Sequence, residues 1–164
     1  LMVPVFAGPQ LIVGPFYGLA GFSREDADRV NAHFESLSTG RDLNKELLIA
    51  VTALIPSERL ATTGGDAHLN VGIKTIVIYQ GSNSELNSEL LLKLTAVGTL
   101  EWTRGREKPH NAERNFDCET EKHEVETWLA NNGRSLDDAI KLCLDILAKQ
   151  VNDALSRNPP TSEA

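Results

Sequence analysis

One stretch near the middle of the chain restricts the fold more than any other feature. Between residues 90 and 102, every even position is apolar or glycine: Leu90, Leu92, Leu94, Ala96, Gly98, Leu100 and Trp102. Polar residues such as Lys93, Thr95 and Glu101 stand between them. Because side chains of a strand alternate between two faces, this pattern predicts a long strand with one face in the core. We expect the leucines and Trp102 to be buried, and Lys93 and Glu101 to be exposed.

Three other segments also have the pattern of strands. Residues 10–16 form a short apolar run that ends in glycine and proline before Phe16. Residues 69–79 alternate at first and then become apolar on both sides, as expected of a strand that becomes central in its sheet. Residues 116–121 alternate again. The last two segments and the strand at 90–102 follow one another through short connections, which predicts an antiparallel meander.

Helical periodicity fills the rest of the chain. Ser23 with Asp26 three positions later predicts a first helix, and Asp42 is placed to cap a second one that ends at Pro56. The pattern leaves open whether these are two helices or one broken helix. The second has an apolar face made of Leu43, Leu47, Val51 and Leu54. A turn at 131–133 precedes a last helix beginning near Ser135, with this apolar stripe: Leu136, Ile140, Cys143, Leu144, Leu147, Val151 and Leu155.

The order β–α(α)–β–β–β–α predicts an α+β fold, a two-layer sandwich in which helices cover one face of a mainly antiparallel sheet. We assign residues 10–156 to a single domain and residues 157–164 to a frayed tail. Residues 1–9 are apolar, and Val5-Phe6-Ala7 before Gly8 is similar to the end of a secretory signal. The alternatives for this segment are a first strand and a disordered start.

Composition excludes several classes of protein. The chain has 164 residues, of which 41% are apolar and 24% charged, as in ordinary globular domains. Its formal net charge of −7 argues against nucleic acid as a main partner, since phosphate binding requires a basic surface. No apolar run approaches the roughly 20 residues of a transmembrane helix.

The chain has two cysteines. Cys118 has the parity of the core face of its strand, and Cys143 lies on the apolar stripe of the last helix. If that helix covers that strand, both thiols point into one interface, and in an oxidising compartment they can form a disulfide worth roughly 3 kcal/mol. We predict this disulfide because of the export-like start. The alternative is two buried free thiols.

Motifs for catalysis are missing from the sequence. The four histidines, His33, His68, His110 and His123, are not spaced as helical metal ligands, and there is no nucleophile elbow or phosphate-binding loop. His123 stands among glutamates that could bind a divalent cation, although such a run is more often a solvated edge. We therefore predict no catalytic residue, no metal, no cofactor and no enzymatic activity.

Four aromatic residues are candidates for contact with a ligand or partner. Phe16, Tyr17 and Phe22 lie in a glycine-containing segment without a secondary-structure pattern, and Trp128 precedes the turn at 131–133. Exposed apolar loops mark contacts with partners. The alternative is that the loop wraps the core and that Trp128 closes one end of it.

The order of elements and the end of the chain resemble a known family. A strand ending in Val13-Gly14-Pro15-Phe16 leads to a helix, a meander and Trp128, and Asn132-Gly133-Arg134-Ser135-Leu136 opens the long last helix. This is similar to small bacterial envelope proteins of the YajG and ABC-transport-auxiliary lipoprotein type, whose fold resembles the amino-terminal domain of the Tol-system protein TolB. The resemblance spans roughly residues 10–156. Such lipoproteins begin with a lipid-modified cysteine, whereas no cysteine precedes Cys118 here.

The resemblance implies a non-catalytic, exported periplasmic protein, often associated with the outer membrane. Its partners would be other envelope proteins in a transport or envelope-maintenance assembly. Two other functions stay open. One is a small-ligand carrier with a pocket between helices and sheet. The other is an enzyme whose site is assembled from scattered residues such as His123 and Glu126, which a histidine and a carboxylate converging in a cleft would favour.

Overall fold

The computed structural model describes residues 10–13, 24–57, 67–79, 89–102 and 110–157. The elements follow the predicted order: β1 (Gln10–Val13), α1 (Arg24–Gly40), α2 (Leu43–Leu54), β2 (Ala67–Tyr79), β3 (Glu89–Trp102), β4 (His110–Glu119), β5 (His123–Glu124) and α3 (Val125–Arg157). The two predicted segments between the first strands are separate helices. The predicted export-like start at 1–9 lies outside the described residues, and so does the predicted tail at 157–164 apart from Arg157, which is the last residue of α3.

The sheet has the strand order β1-β2-β3-β4. The pairs β2–β3 and β3–β4 are antiparallel, which confirms the predicted meander. Two features were not predicted. β1 pairs with β2 in parallel, from Gln10 opposite Thr75 to Val13 opposite Ile78. The short β5 pairs with the beginning of β3, where Leu90 lies opposite His123. The parallel pairing explains why the second half of β2 is apolar on both sides, because it lies between two strands.

A bulge changes the phase of β2. Its buried apolar side chains are at odd-numbered positions up to Ile73 and at even-numbered positions from Ile76, and the register shifts between Ile73 and Thr75. The buried Asn44 of α2 supports the bulge, since its Oδ1 accepts a hydrogen bond of 2.7 Å from the backbone N–H of Ile73. A side chain of the helix layer thus satisfies a backbone donor that the shift takes out of the ladder.

The long strand β3 has the predicted polarity. Leu90, Leu92 and Leu94 are buried, Leu100 is half-buried and Glu101 is exposed. Burial of the Trp102 side chain lies outside what the structure describes. Lys93 is half-buried rather than exposed, because it lies on the sheet surface with its Nζ 3.8 Å from Asp117 Oδ1.

The helices cover one face of this sheet, so the predicted two-layer α+β sandwich is confirmed. α2 packs on β2, and α3 packs on β3 and β4 and along α2. Asp42 caps α2 as predicted, accepting a hydrogen bond of 3.0 Å from the Lys45 N–H. Leu54 is the one residue of the predicted apolar face of α2 that the fold leaves exposed. Its side chain is 45% exposed and Ile55 is buried instead, because the helix ends at Leu54 and the extended residue after it turns towards the core.

The predicted turn before the last helix interrupts α3. Ala130, Asn131, Asn132 and Gly133 are non-helical, and the last three have positive φ angles. The short helical segment before this turn was not predicted. Beyond it, the stripe from Leu136 to Val151 is buried as expected. Among the described helices, none is long and apolar enough to span a membrane.

Candidate functional site

Of the four aromatic residues predicted to contact a ligand or partner, only one lies in the described part of the chain. Phe16, Tyr17 and Phe22 fall outside it. Trp128 is 2% exposed, and its indole N–H donates a hydrogen bond of 3.1 Å to the Leu90 carbonyl. His123 contacts its ring edge-to-face at 5.0 Å between centroids. Trp128 therefore joins α3 to the start of β3, the position expected of a residue that closes one end of the core. Its role in ligand contact stays a prediction.

The acidic segment around His123 forms a short strand and a contact with α1. His123 and Glu124 form β5, and Glu126 turns to Arg29 of α1. Within the described ranges, no group of three or more histidine, cysteine, aspartate or glutamate side chains is placed to hold a metal ion.

Cys118 and Cys143 form a disulfide, as predicted. Their Cα atoms are 5.5 Å apart, and both residues are buried. The bond joins the middle of α3 to β4. Because β4 is the last strand of the sheet order, the disulfide ties the helix layer to an edge of the sheet.

Charged side chains join α1 to the short first part of α3. The guanidinium of Arg29 donates two hydrogen bonds to the Glu126 carboxylate, of 2.6 and 3.2 Å. These bonds, and then the charge of Arg29, hold the pKa of Glu126 below its usual value, and they raise the pKa of Arg29. Both side chains are exposed, so the pair is open to solvent and salt.

A histidine and a carboxylate also converge between these helices. His33 Nε2 of α1 lies 3.5 Å from Asp137 Oδ1 of α3, and both atoms are buried without a hydrogen bond of good geometry. The imidazole is packed against Gly133, where an added Cβ would lie 1.9 Å from His33 Cε1. A catalytic histidine must reach the proton of a substrate. The facing nitrogen and oxygen are shielded from solvent, whereas the side chains as a whole are 19% and 38% exposed, and the pair forms a contact between α1 and α3.

The described sheet has β1 and β4 at its edges, and β4 is the longer of these two strands, with 10 residues against 4. β4 pairs with β3 on one side only. At its end, the Thr120 N–H donates to the Leu92 carbonyl, so even-numbered residues direct their backbone groups towards β3. Because these directions alternate in an antiparallel pair, the odd-numbered residues direct theirs outwards. They are Asn111, Glu113, Asn115, Asp117 and Glu119.

A side chain of α3 marks this edge. Gln150 Nε2 donates a hydrogen bond of 3.0 Å to the Asp117 carbonyl, which is one of the outward-directed groups. Leu142 and Ile146 stand eight and four residues before Gln150, so they share its side of the helix. They are 58% and 38% exposed. An apolar row on α3 thus accompanies the open edge of β4. We call the two together the β4–α3 edge.

The β4–α3 edge is acidic on its helix-free side. All five outward-directed residues have exposed side chains, and three of them are acidic: Glu113, Asp117 and Glu119. Lys93 of β3 is a basic neighbour on this side, directly opposite Glu119 in the register and with its Nζ 3.8 Å from Asp117 Oδ1. Asp117 also accepts a hydrogen bond of 2.6 Å from Thr95 Oγ1. Arg114 is exposed, and its even number places it on the helix side of the strand.

The β4–α3 edge was not predicted from the sequence. Two signals for it were available. The acids at odd positions of β4 were noted only as the polar half of an alternation. Leu142 and Ile146 interrupt the polar side of an otherwise amphipathic helix, and apolar residues there have no role in the core.

Comparisons with known proteins return no relatives: the chain matches no protein-family model, no curated protein and no solved structure.

Proposed function

We propose that this chain is a non-catalytic accessory protein of the bacterial envelope. It works in the periplasm and docks other proteins of a transport or envelope-maintenance assembly, in association with the outer membrane. The proposal combines an oxidising compartment, a surface suited to protein contact and the likeness in element order to the YajG and ABC-transport-auxiliary type.

The Cys118–Cys143 disulfide is the observation that carries the proposal. Structural disulfides persist in oxidising compartments and are rare where thioredoxin and glutathione keep thiols reduced. This one lies in the interface between helix and sheet, with both residues buried. Cellular reductants have little access to it, and it contributes to the folded state rather than to redox chemistry.

The β4–α3 edge supports a docking role. An unpaired strand edge presents backbone donors and acceptors that another chain can use, and proteins usually shield such edges. Here the edge is accompanied by exposed leucine and isoleucine side chains on α3. The shielding of His33 Nε2 and Asp137 Oδ1 supports the non-catalytic part, since these two facing atoms are not open to a substrate in this arrangement.

The compartment is tested by trapping thiols in living bacteria that express the natural full-length protein. Cells are quenched with acid, free thiols are alkylated, and the masses of the peptides containing Cys118 and Cys143 are measured. The same cells are fractionated into cytoplasm, periplasm and membranes. We expect both cysteines to be protected from alkylation and the protein to be found with the periplasm or outer membrane. Alkylated cysteines in a cytoplasmic fraction would contradict the proposal.

The docking role is tested in the same cells with a photo-crosslinking amino acid at position 142. A matched position is Lys45, which is exposed on α2 away from the β4–α3 edge. We expect specific cross-linked products with envelope proteins at 142 and none at 45. Equal labelling at both positions would mean that the surface has no docking preference.

A further inference from the structure

We propose that the β4–α3 edge binds an extended segment of a partner protein, which adds a strand to β4 and carries lysine or arginine at alternate positions with apolar residues between them. This rests on the proposed docking function and specifies its surface and the chemistry of its partner.

The outward-directed backbone groups of β4 are suited to hydrogen bonding with an added strand. Alternate residues from 111 to 119 each present an N–H and a C=O to the open side of the sheet, and Gln150 bonds to one of these carbonyls. Backbone bonding of this kind gives affinity in strand addition, whereas the alternate side chains give specificity. At about 3.3 Å per residue, a segment of eight to ten residues matches the length of β4.

On the helix side, apolar side chains of this protein would lie next to the added strand. Its side chains on that side would lie next to Phe116, which is half-buried and packs over Gly98, and beside the exposed Ile146. Leu142 extends this apolar row by one helical turn. Apolar residues at every second position of the segment would cover these side chains.

On its other side, the added strand would lie next to acidic residues of β4. There its side chains would stand opposite Asn111, Glu113, Asn115, Asp117 and Glu119. Directly opposed side chains on adjacent strands are close enough for opposite charges to attract and like charges to repel. Lys93 offsets part of the charge of Asp117 and of Glu119, which lies directly opposite it in the strand register, whereas Glu113 lies opposite the uncharged Thr99. Lysine or arginine at alternate positions fits this side, and the net charge of −7 favours such a partner at longer range.

The same acids disfavour a second copy of this chain as the occupant. If two β4 strands paired across a two-fold axis at Asn115, Glu113 of each would oppose Asp117 of the other. The outward face of that pair would carry acids from both copies. The charges that attract a basic segment therefore also protect the edge from pairing with itself.

The test uses the purified, oxidised full chain and fluorescent peptides of about nine residues, matched to the strand length. One peptide alternates lysine and valine, a second alternates glutamate and valine, and a third alternates lysine and serine. Binding is followed by fluorescence anisotropy, and the surface is mapped by NMR shifts of backbone amides. We expect the lysine–valine peptide to bind at least tenfold more tightly than either control, with shifts concentrated in β4. Binding should weaken as salt is added.

Two sets of variants separate backbone from charge. Asn115→Pro removes an outward N–H without removing a bond to β3, and Asn115→Ala is its matched control. We expect the proline variant to bind at least tenfold more weakly and the alanine variant to bind like the parent. Glu113→Lys combined with Glu119→Lys should reverse the preference, so that the glutamate–valine peptide binds more tightly. The charge-reversal variant tests the proposed preference for a basic segment even if the proline variant does not fold.

Several outcomes would overturn the proposal. They are equal binding of the lysine and glutamate peptides, unchanged preference after charge reversal, amide shifts centred away from β4, and a dimer that Asn115→Pro abolishes. These results do not depend on where the protein resides. If the lysine–valine peptide binds but the cysteines are reduced in cells, the strand-addition proposal is supported and the periplasmic function is contradicted. If the peptide does not bind but the cysteines are protected in cells and cross-links form at position 142, the periplasmic docking function is supported and the strand-addition proposal is contradicted.

Discussion

The two faces of the described sheet have different surroundings although they belong to the same strands. On the covered face, Leu92, Leu94 and Ala96 of β3 are fully buried under the helices. On the open face, Lys93 and Thr95 between them are half-buried, and both interact with Asp117 of β4. At these positions, packing under the helices contributes most to stability, whereas the open face holds polar contacts that compete with water. At the start of β3, Leu91 on the open face is buried as well.

The same contrast applies to single hydrogen bonds. Asn44 accepts its bond from Ile73 in a buried position, where water cannot replace it. Thr95 donates its bond to Asp117 at the surface, where water can. A buried donor left unsatisfied costs its full desolvation, so similar bonds differ in value with their location. The covered face therefore contributes most of the stability of this fold. Residues of the open face and of the β4–α3 edge can be substituted at a smaller cost in free energy of unfolding.

The largest expected difference between the faces is in apolar packing. Leu94→Ala should lower the free energy of unfolding by about 2–5 kcal/mol, because it leaves a cavity beneath the helices. Val97→Ala, on the open face of the same strand, should cost much less. Urea denaturation of both variants measures the difference. Equal losses would mean that the open face is covered as well.

The next effect concerns the attachment of α3 to β4. Replacing both Cys118 and Cys143 by alanine should lower the free energy of unfolding by about 3 kcal/mol, mainly by releasing the unfolded chain from a cross-link. Gln150→Ala removes the exposed contact between the same two elements and should change stability by less than about 0.5 kcal/mol. Chemical denaturation under oxidising conditions compares them. A double-alanine variant as stable as the parent would show that packing alone holds α3 on the edge.

A smaller effect is expected for the two hydrogen bonds. Asn44→Ala should cost about 1–3 kcal/mol, because the Ile73 N–H at the bulge is left buried without its acceptor. Thr95→Ala should cost clearly less, since water can bond to the freed Asp117 oxygen. Thermal unfolding ranks the two variants, and NMR shows whether the register of β2 survives. A loss for Thr95→Ala that equals that of Asn44→Ala would contradict the comparison.

The smallest effect lies in the exposed Arg29–Glu126 pair. Because the folded state lowers the pKa of Glu126, the pair adds stability above the usual value of 4.5, which is lost as the pH falls through the lowered pKa. Glu126→Gln should therefore reduce the melting temperature slightly at neutral pH and leave it unchanged at strongly acid pH. Glu124→Gln removes a neighbouring charge without the Arg29 contact and serves as control. Added salt should shrink the difference at neutral pH.

Local patterns were enough to predict much of the architecture. The alternation from Leu90 onwards identified the core face of β3, and the stripe from Leu136 identified the buried side of α3. The parity of Cys118 and the helical position of Cys143 together predicted the disulfide. Each inference used a period of one element, or packing between elements that are neighbours in sequence.

The features that were missed depend on elements distant in sequence. Parallel pairing of β1 with β2, and the Asn44 side chain that supports the bulge at Ile73, join segments separated by whole helices. The meeting of His33 with Asp137 and Gly133 depends on how α1 crosses the beginning of α3. Leu54 was assigned to the apolar face of α2, and helical periodicity does not show that the chain turns at Ile55 and leaves Leu54 exposed.

The sequence by itself therefore determined which face of each long element is apolar, because side-chain direction within a strand or helix repeats with a fixed period. Only the tertiary structure decided which strands lie at the edges of the sheet. It alone placed the row of Leu142 and Ile146 beside that edge, because pairing partners and helix positions follow from packing the whole chain. The residue type of Leu142 or Ile146 does not show whether its side chain is covered or exposed. Its role at the β4–α3 edge depends on which residues lie next to it in the folded protein.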